Sequence, residues 1–445
     1  MTNSFYLLLP RKLQDGLLSI YGANIYRQRF HGSLPEAYCN DLTIFGEPTA
    51  IENTKQEHRL QALLSHCKHY IPYYKDLLRH IDTSVITTES LKDIVPIMTK
   101  SDVLNNYTQL CSTHPGHWGK LRTANTSGSS GTPLSVFYTD EARRINYKFY
   151  ESALRFYGCN YRSKSTTLAG RILYKNPNCH PDRYDHFNNT QYLSTYFISK
   201  GTIESYVHAL NKWAPHFIDS YPSALIELIS LAQQESLEFT FSPKCILTSS
   251  ENLSIESRSL IENTFRTKVI DQYGCTEMAI NAFSNGGNYY SNPLYSVIEL
   301  AHQFNSSYEV ITTGLLNFGM PLLRYKIGDL VQKNSNSSNY IFSCIDGRAD
   351  DAIVTEDGRR IGRMDPAFKG IAGLAFAQII QEDLKNIIVK VVLAKNSELL
   401  FEKDKLVENI KERTGKNMIV DVQIIDGIER SANGKFKSVI SKVNL

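Results

Sequence analysis

Five short stretches of this chain carry residue types and spacings that could do chemistry. In the first, Ser127, Gly128, Ser129, Ser130, Gly131 and Thr132 follow one another and are closed by Pro133. Six small, donor-rich residues add little to a core. Gly128 and Gly131 give the backbone freedom to bend, and successive N–H groups and hydroxyls in such a loop can wrap a polyphosphate. The lysine of the GxxxxGK[ST] phosphate loop is missing. The following "LSVFYT" reads as a strand, which argues against binding at a helix N-terminus. A plain polar hairpin loop is the competing reading.

The second stretch is "DQYGCTEMA", residues 271–279. A short strand ends at Tyr273 and Gly274 and presents Thr276 and Glu277 on a turn. Strand ends are where α/β sheets bind ligands, and a carboxylate there suits Mg2+ on a phosphate; an ordinary exposed turn fits equally. The third, "GMPLLRYKIGDLV" (319–331), alternates Arg324 with apolar neighbours and closes its strand with Gly328 and Asp329. Asp329 there could accept two hydrogen bonds from a ribose diol, or cap a turn. The fourth is "CIDGRADDAIVTEDGRRIG" (344–362). The fifth, "ERSANGKFKSVI" (429–440), puts Lys435 in a turn after Asn-Gly, where a lone lysine is by default a surface charge.

These stretches need a scaffold. From about 120 to 330, strand-like segments ("KLRTAN", "LSVFYT", "KCILTSS", "TKVIDQYG") alternate with helical ones ("DEARRINYKFYESALRFYG", "SALIELISLAQQES"), which predicts an α/β architecture. Earlier, residues 55–80 carry Leu60, Leu63, Leu64 and His66 at helical spacing, broken at Pro72. His66, Cys67 and His69 lack a further ligand at metal spacing and read as structural. A polar loop at 332–339 follows. The tail then runs strand, strand, helix, strand, enough for a small α+β domain. The predicted division is residues 1–347 and 348–445.

At 445 residues the chain exceeds one compact core. A hydrophobic fraction of 42%, a charged fraction of 21% and a net charge of +3 are those of an ordinary globular protein. Nucleic-acid binding is not supported. The eight cysteines include no two within five positions, so no disulfide framework is expected and a reducing, cytoplasmic setting is. No apolar run reaches membrane-spanning length.

In this order and register, Thr-Ser-Gly-Ser-Ser-Gly-Thr-Pro, Tyr-Gly-Cys-Thr-Glu, Arg-Tyr-Lys-Ile-Gly-Asp, Gly-Arg-Ala-Asp-Asp and Asn-Gly-Lys resemble the adenylate-forming superfamily of acyl-CoA synthetases, peptide-synthetase adenylation domains and luciferases. Within it, the chain looks most like the phenylacetate–CoA ligase-like branch and the CapK-type proteins of capsular polysaccharide biosynthesis. "HYIPYYKDLL", "LKDIVPIMTKSDV" and "SYPSALIEL" extend the likeness into the N-terminal half. It implies a large N-terminal adenylation domain of layered sheets and helices and a small mobile C-terminal α+β domain.

The resemblance also implies roles. Ser127 to Thr132 would hold the β- and γ-phosphates of ATP. Ser249, Ser250 and Glu251 would line the adenine-binding turn, with Tyr273 stacking near adenine beside Gly274. Thr276 would touch the α-phosphate and Glu277 would bind Mg2+. Asp329, with Arg348 nearby, would hold the ribose. Asp350 would be the hinge, and Lys435 would reach the acyl-adenylate centre. Tyr221, Pro222, Ser223, Gly170 and Arg171 would wall the carboxylic-acid pocket, where Arg171 reads as an anion partner or, more simply, a structural ion pair.

Two departures matter. Some relatives carry Cys and His ligands for a structural zinc after the Tyr-Gly-x-Thr-Glu motif; "NAFSNGGNYYSNPLYSVIEL" has neither, so no zinc is expected. "TEDGRRIG" differs from the phenylacetate enzymes and leaves the acyl acceptor open between CoA, a carrier thiol and an amine. Cys111 or Cys275 as an acyl-carrying nucleophile is a minor alternative. The leading expectation is an ATP-dependent carboxylate-activating ligase. Its competitors are a non-catalytic nucleotide-binding component of a glycan-assembly complex and a phosphoryl transferase. The sequence does not fix oligomeric state.

Overall fold

The computed structural model describes residues 6–40, 42–117, 120–125, 134–174, 180–304, 306–334, 336–348, 353–356, 360–361, 364–368, 371–372, 374–393, 398–428 and 438–443. The loop 127–132, the expected hinge residue Asp350 and Lys435 lie outside the described residues. The chain divides into two compact units: Met1–Ile20, Arg162–Asp271 and Asp346–Leu445 form one, and Tyr21–Tyr161 with Gln272–Ile345 the other.

The first unit contains two cores. In one, strands Ser165–Ala169, Thr190–Ser194, Phe217–Ser220 and Cys245–Ser249 pair in parallel, and Asp182–Asp185 adds antiparallel at the edge. Parallel neighbours need long crossovers, and helices Ile203–Trp213 and Pro222–Gln234 supply them. Leu210, Leu225, Leu228, Ile246 and Phe265 close the layer with no exposed surface. The alternation read from the sequence is therefore a doubly covered sheet.

The other core lies in the C-terminal part. Strand Leu374–Gln381 pairs antiparallel with Asn386–Leu393 and parallel with Val439–Ser441, and Asn386–Leu393 pairs in parallel with Ile419–Ile424. Ile387, Val389 and Val391 point inward with period two, against Leu406 and Ile410 of helix Lys403–Thr414. The strand–strand–helix–strand order expected from the sequence is present, and a further strand, Val439–Ser441, follows it.

In the second unit, helix Ala50–Tyr70 starts at a capping box, in which Thr49 and Glu52 satisfy each other's backbone N–H groups. It buries Leu60, Leu63, Leu64 and Cys67, spaced as one helical stripe. The fourth inward position is thus Cys67, and His66 faces elsewhere. Strands Arg122–Asn125 and Ser135–Tyr138 form an antiparallel hairpin flanking the Ser/Thr/Gly loop. Thr139 then caps helix Asp140–Phe156 by accepting from the Ala142 N–H.

An antiparallel sheet of Ser296–Phe304, Ser307–Gly314 and Tyr325–Gln332 completes this unit. The strand of the third motif does not close at Asp329, as the sequence suggested, but runs on to Gln332. Gly328, at φ +83°, sits in a bulge where the pairing skips from Lys326↔Ile311 to Leu330↔Glu309. Glycine takes that backbone conformation without steric cost.

Arg324 ties the unit together. Its side chain forks onto Glu299, with Nε–Oε1 at 2.8 Å and Nη2–Oε2 at 2.7 Å. Nη1 donates to the carbonyls of Val95 (2.7 Å) and Lys92 (3.2 Å), closing the short helix Leu91–Ile94 onto the sheet. The residue is 9% exposed. Breaking a buried, bidentate pair from one side leaves an uncompensated charge. Arg324→Met should lower the unfolding free energy by about 3 kcal/mol, and Arg324→Met with Glu299→Leu should recover part of it, as measured by denaturant unfolding.

Candidate active site

In the second unit, two of the expected carboxylates are held by tyrosines. Strand Lys268–Gly274 delivers Tyr273, whose hydroxyl donates to Asp329 Oδ2 at 2.8 Å. The chain then turns through Cys275–Met278, where the Met278 N–H bonds the Cys275 carbonyl and Met278 takes φ +55°. Glu277 rides on this turn, and Oε1 accepts from the Tyr325 hydroxyl at 3.3 Å. Glu277 and Asp329 are 7% and 8% exposed. Cys275 lies next to both: burial first, then the charges of Glu277 and Asp329, push its thiol well above the ordinary range. The structure thus gathers Tyr273, Cys275, Glu277, Tyr325 and Asp329 in one place.

A cysteine so protonated is a poor nucleophile, and burial also raises the Cys111 thiol. Neither environment favours the acyl-carrier alternative.

In the first unit, Glu251 spans the start of helix Pro222–Gln234. Oε2 accepts from the Ser223 N–H at 3.0 Å and Oε1 from the Ser223 hydroxyl at 3.1 Å. That helix has no side-chain cap of its own, so Glu251 satisfies one of its open N–H groups. Ser250, at φ +72°, turns the chain between Ser249 and Glu251. Burial is the first cause of a raised Tyr221 phenol, with Glu251 raising it further and Arg171 opposing. Tyr221, Ser223, Glu251 and Arg171 are therefore neighbours. Arg171 lies over the Tyr192 ring at 5.0 Å and forms no ion pair among the described residues. Gly170 precedes it in a bend. Arg348 ends strand Cys344–Arg348; the preceding Gly347, at φ +96°, is where an added Cβ would approach Asn252 at 3.0 Å. The Arg348 backbone therefore runs beside the 249–252 turn.

Sequence reading missed two supports. Tyr325 lies inside the third motif with no chemical signal of its own, yet it holds Glu277. Gly314 ends strand Ser307–Gly314 so close to the turn that an added Cβ would lie 2.8 Å from the Met278 carbonyl and 3.1 Å from the Ala279 Cα. It also missed a histidine cluster: the rings of His66, His114 and His117 lie 5.0–5.8 Å apart, centre to centre. The His-Pro-Gly-His spacing at 114–117 was the available signal.

This layered fold, with an α+β core in the C-terminal part, is that of solved adenylate-forming ligases. Residues 353–442 match the CapK C-terminal domain family. Over its whole length the chain is 26% identical to Protein CapK of Staphylococcus aureus, and all of both chains is aligned. It superposes on 2-hydroxyisobutyryl-CoA ligase, in the postadenylation state with an acyl-AMP, with a TM-score of 0.67 and 15% identity, covering 89% of this chain and 90% of that one. An anthranilate CoA ligase in complex with anthranoyl-AMP follows at 0.50 and 12%, covering 71% and 64%. The resemblance drawn from the five motifs is borne out. Among the described residues, no helix is long and apolar enough to cross a membrane.

The closeness of Gly314 to backbone atoms gives a direct test of how the Glu277 turn is held. Gly314→Ala must displace that turn or the strand end, and overpacking of this kind costs about 1–3 kcal/mol. A lowered thermal midpoint is expected, with a smaller loss for Gly201→Ala, whose added Cβ meets nothing within 4 Å and whose φ is not positive.

Proposed function

We propose that the protein activates a carboxylic acid with ATP, forming an acyl-adenylate and pyrophosphate, and passes the acyl group to a second substrate. The observation that carries this reading is the buried pair Glu277 and Asp329, each fixed by a tyrosine hydroxyl beside the turn that follows a strand end. The fold likeness to ligases solved with acyl-AMP supports it.

The chemistry fits these residue types. A carboxylate oxygen attacks the α-phosphorus, and the bond to the bridging oxygen breaks as pyrophosphate leaves. Both reactants are anions, so repulsion is the main obstacle, and cations positioned at the developing charge lower it. Glu277 is a suitable anchor for Mg2+. It is a buried hard-oxygen donor, and among the described residues only the Tyr325 hydroxyl bonds it, at Oε1, leaving Oε2. Mg2+ bound there would supply charge neutralisation on the phosphates. Thr276, beside it on the turn, meets the α-phosphate.

Asp329, fixed by Tyr273, receives the ribose hydroxyls, and Arg348 is the second residue we assign to the nucleotide. Ser127 to Thr132 cradle the outer phosphates; Ser249, Ser250, Gly274 and the Tyr273 ring border the adenine. Tyr221, Ser223, Gly170 and Arg171 form the acid pocket. Residues 348–445 act as a small domain hinged at Asp350, and its Lys435 brings positive charge to the reacting centre. The acceptor is an amine of a sugar or amino acid, or a thiol of CoA or a carrier protein. Its setting is surface-polysaccharide synthesis in the cytoplasm, a reading supported by the CapK likeness.

Carboxylate-dependent exchange of labelled pyrophosphate into ATP, run across amino, hydroxy and aryl acids, tests the reaction. The expected products are AMP and pyrophosphate. ADP would make the protein a phosphoryl transferase, and binding without turnover would make it a nucleotide-binding component of a larger assembly. Lys435→Ala should lower exchange by about 100- to 1,000-fold while ATP still binds; an unchanged rate removes Lys435 from the mechanism. Asp329→Asn should weaken ATP binding first, raising KM more than it lowers kcat.

A further inference from the structure

The second unit contains a cavity of about 420 Å3 whose lining shares no residue with the nucleotide or acid sites. That volume lies in the range of roughly 300–1,000 Å3 typical of small-molecule sites. Its wall includes His114, His117, Lys120, Asp140, Glu141 and Phe318. The imidazoles are locked in place from behind by one serine. Ser112 Oγ is 3.1 Å from His66 Nε2 and 3.0 Å from His117 Nδ1, and it accepts the His114 backbone N–H at 3.2 Å.

A hydroxyl has one proton and two lone pairs. One Ser112 lone pair takes the His114 N–H, so Ser112 donates to one of the two facing ring nitrogens, His66 Nε2 or His117 Nδ1, and accepts from the other. In the neutral His117 ring, Nε2 then takes the opposite role to Nδ1. His114 is fixed by its own loop: Nδ1 accepts the Gly116 N–H at 3.0 Å, so Nε2–H is a donor. An added Cβ at Gly116 would come within 3.0 Å of that imidazole, so a glycine is what lets the lock close.

The chemistry of the wall narrows the ligand. Burial and neighbouring histidines hold His66 down to about 4, and burial and His114 lower His117, so both rings are neutral near pH 7. Asp140 and Glu141 are already paired with Arg122 (3.1 Å) and Arg59 (3.3 Å). An anion would find a single ammonium, Lys120, in a wall that also holds two carboxylates, and the neutral His66 and His117 rings add no charge. A metal centre would need converging lone pairs, and among the described residues no group of three or more His, Cys, Asp or Glu is placed to hold an ion.

What remains is a wall that carries donors (His114 Nε2–H, the Lys120 ammonium) and acceptors (the Asp140 and Glu141 carboxylates), with His117 Nε2, beside the Phe318 ring. Hydroxyl groups both donate and accept, and the C–H face of a sugar ring suits an aromatic wall. We infer that this cavity is a second binding site, for an uncharged, polyhydroxylated ligand of the monosaccharide class. The inference does not depend on the adenylation reading.

The test is calorimetric titration of the full chain with methyl glycosides of glucose, galactose and mannose and with N-acetylglucosamine, and, in separate arms, inorganic phosphate and zinc. At least one sugar should bind, and Lys120→Ala and His117→Gln should each weaken it at least ten-fold with ATP affinity unchanged. Lys120 is exposed, so its variant keeps the measurement valid if His117→Gln proves unstable. The inference is overturned if no sugar binds, if neither variant weakens binding, or if only phosphate or zinc titrates.

Discussion

The second unit depends on one buried guanidinium. Arg324 brings a positive charge to a position 9% exposed to solvent, which is tolerable only because Glu299 and two backbone carbonyls take up its donors. A lysine could not reproduce the fork. Its backbone is equally committed: the N–H donates to Thr313 Oγ1, the carbonyl accepts from Met98, and φ is +46°. Those commitments fix the start of the strand that presents Tyr325 to Glu277 and, one bulge later, Asp329 to Tyr273. Site geometry here is inherited from an ion pair that touches no substrate.

The two carboxylates illustrate how neutral groups can prepare an acidic site. Neither Tyr273 nor Tyr325 carries charge, yet each orients one carboxylate oxygen. A lysine in either place would neutralise the carboxylate and compete with a cation for it. Phenol donors give direction without that competition. In the first unit, Glu251 uses its charge on a helix N-terminus, where partial positive charge accumulates.

Much of this was legible in the sequence, for identifiable reasons. The parallel strands around Cys245–Ser249 announce themselves as a short apolar run between helical periods, and the Ile387, Val389, Val391 alternation marks a half-buried strand. Tyr273, Glu277 and Asp329 were visible because motif residues lie within a few positions of one another. What stayed hidden depends on distance along the chain. Tyr325 meets Glu277 across 48 positions, Ser112 joins His66 across 46, and Gly314 matters only because a turn passes against it. Local pattern cannot report such pairings. The end of the third-motif strand was misjudged because Gly-Asp usually marks a stop, whereas here it marks a bulge.

That bulge has a consequence for how the gene can vary. Between Lys326 and Leu330 one strand spends three residues where its partner spends one. Side chains alternate between faces along a strand, so the surplus decides toward which side the acid at 329 is turned. Losing or gaining a single codon in this stretch would rotate that acid away while leaving every nearby side chain chemically intact. Spelling, in this stretch, is secondary to length.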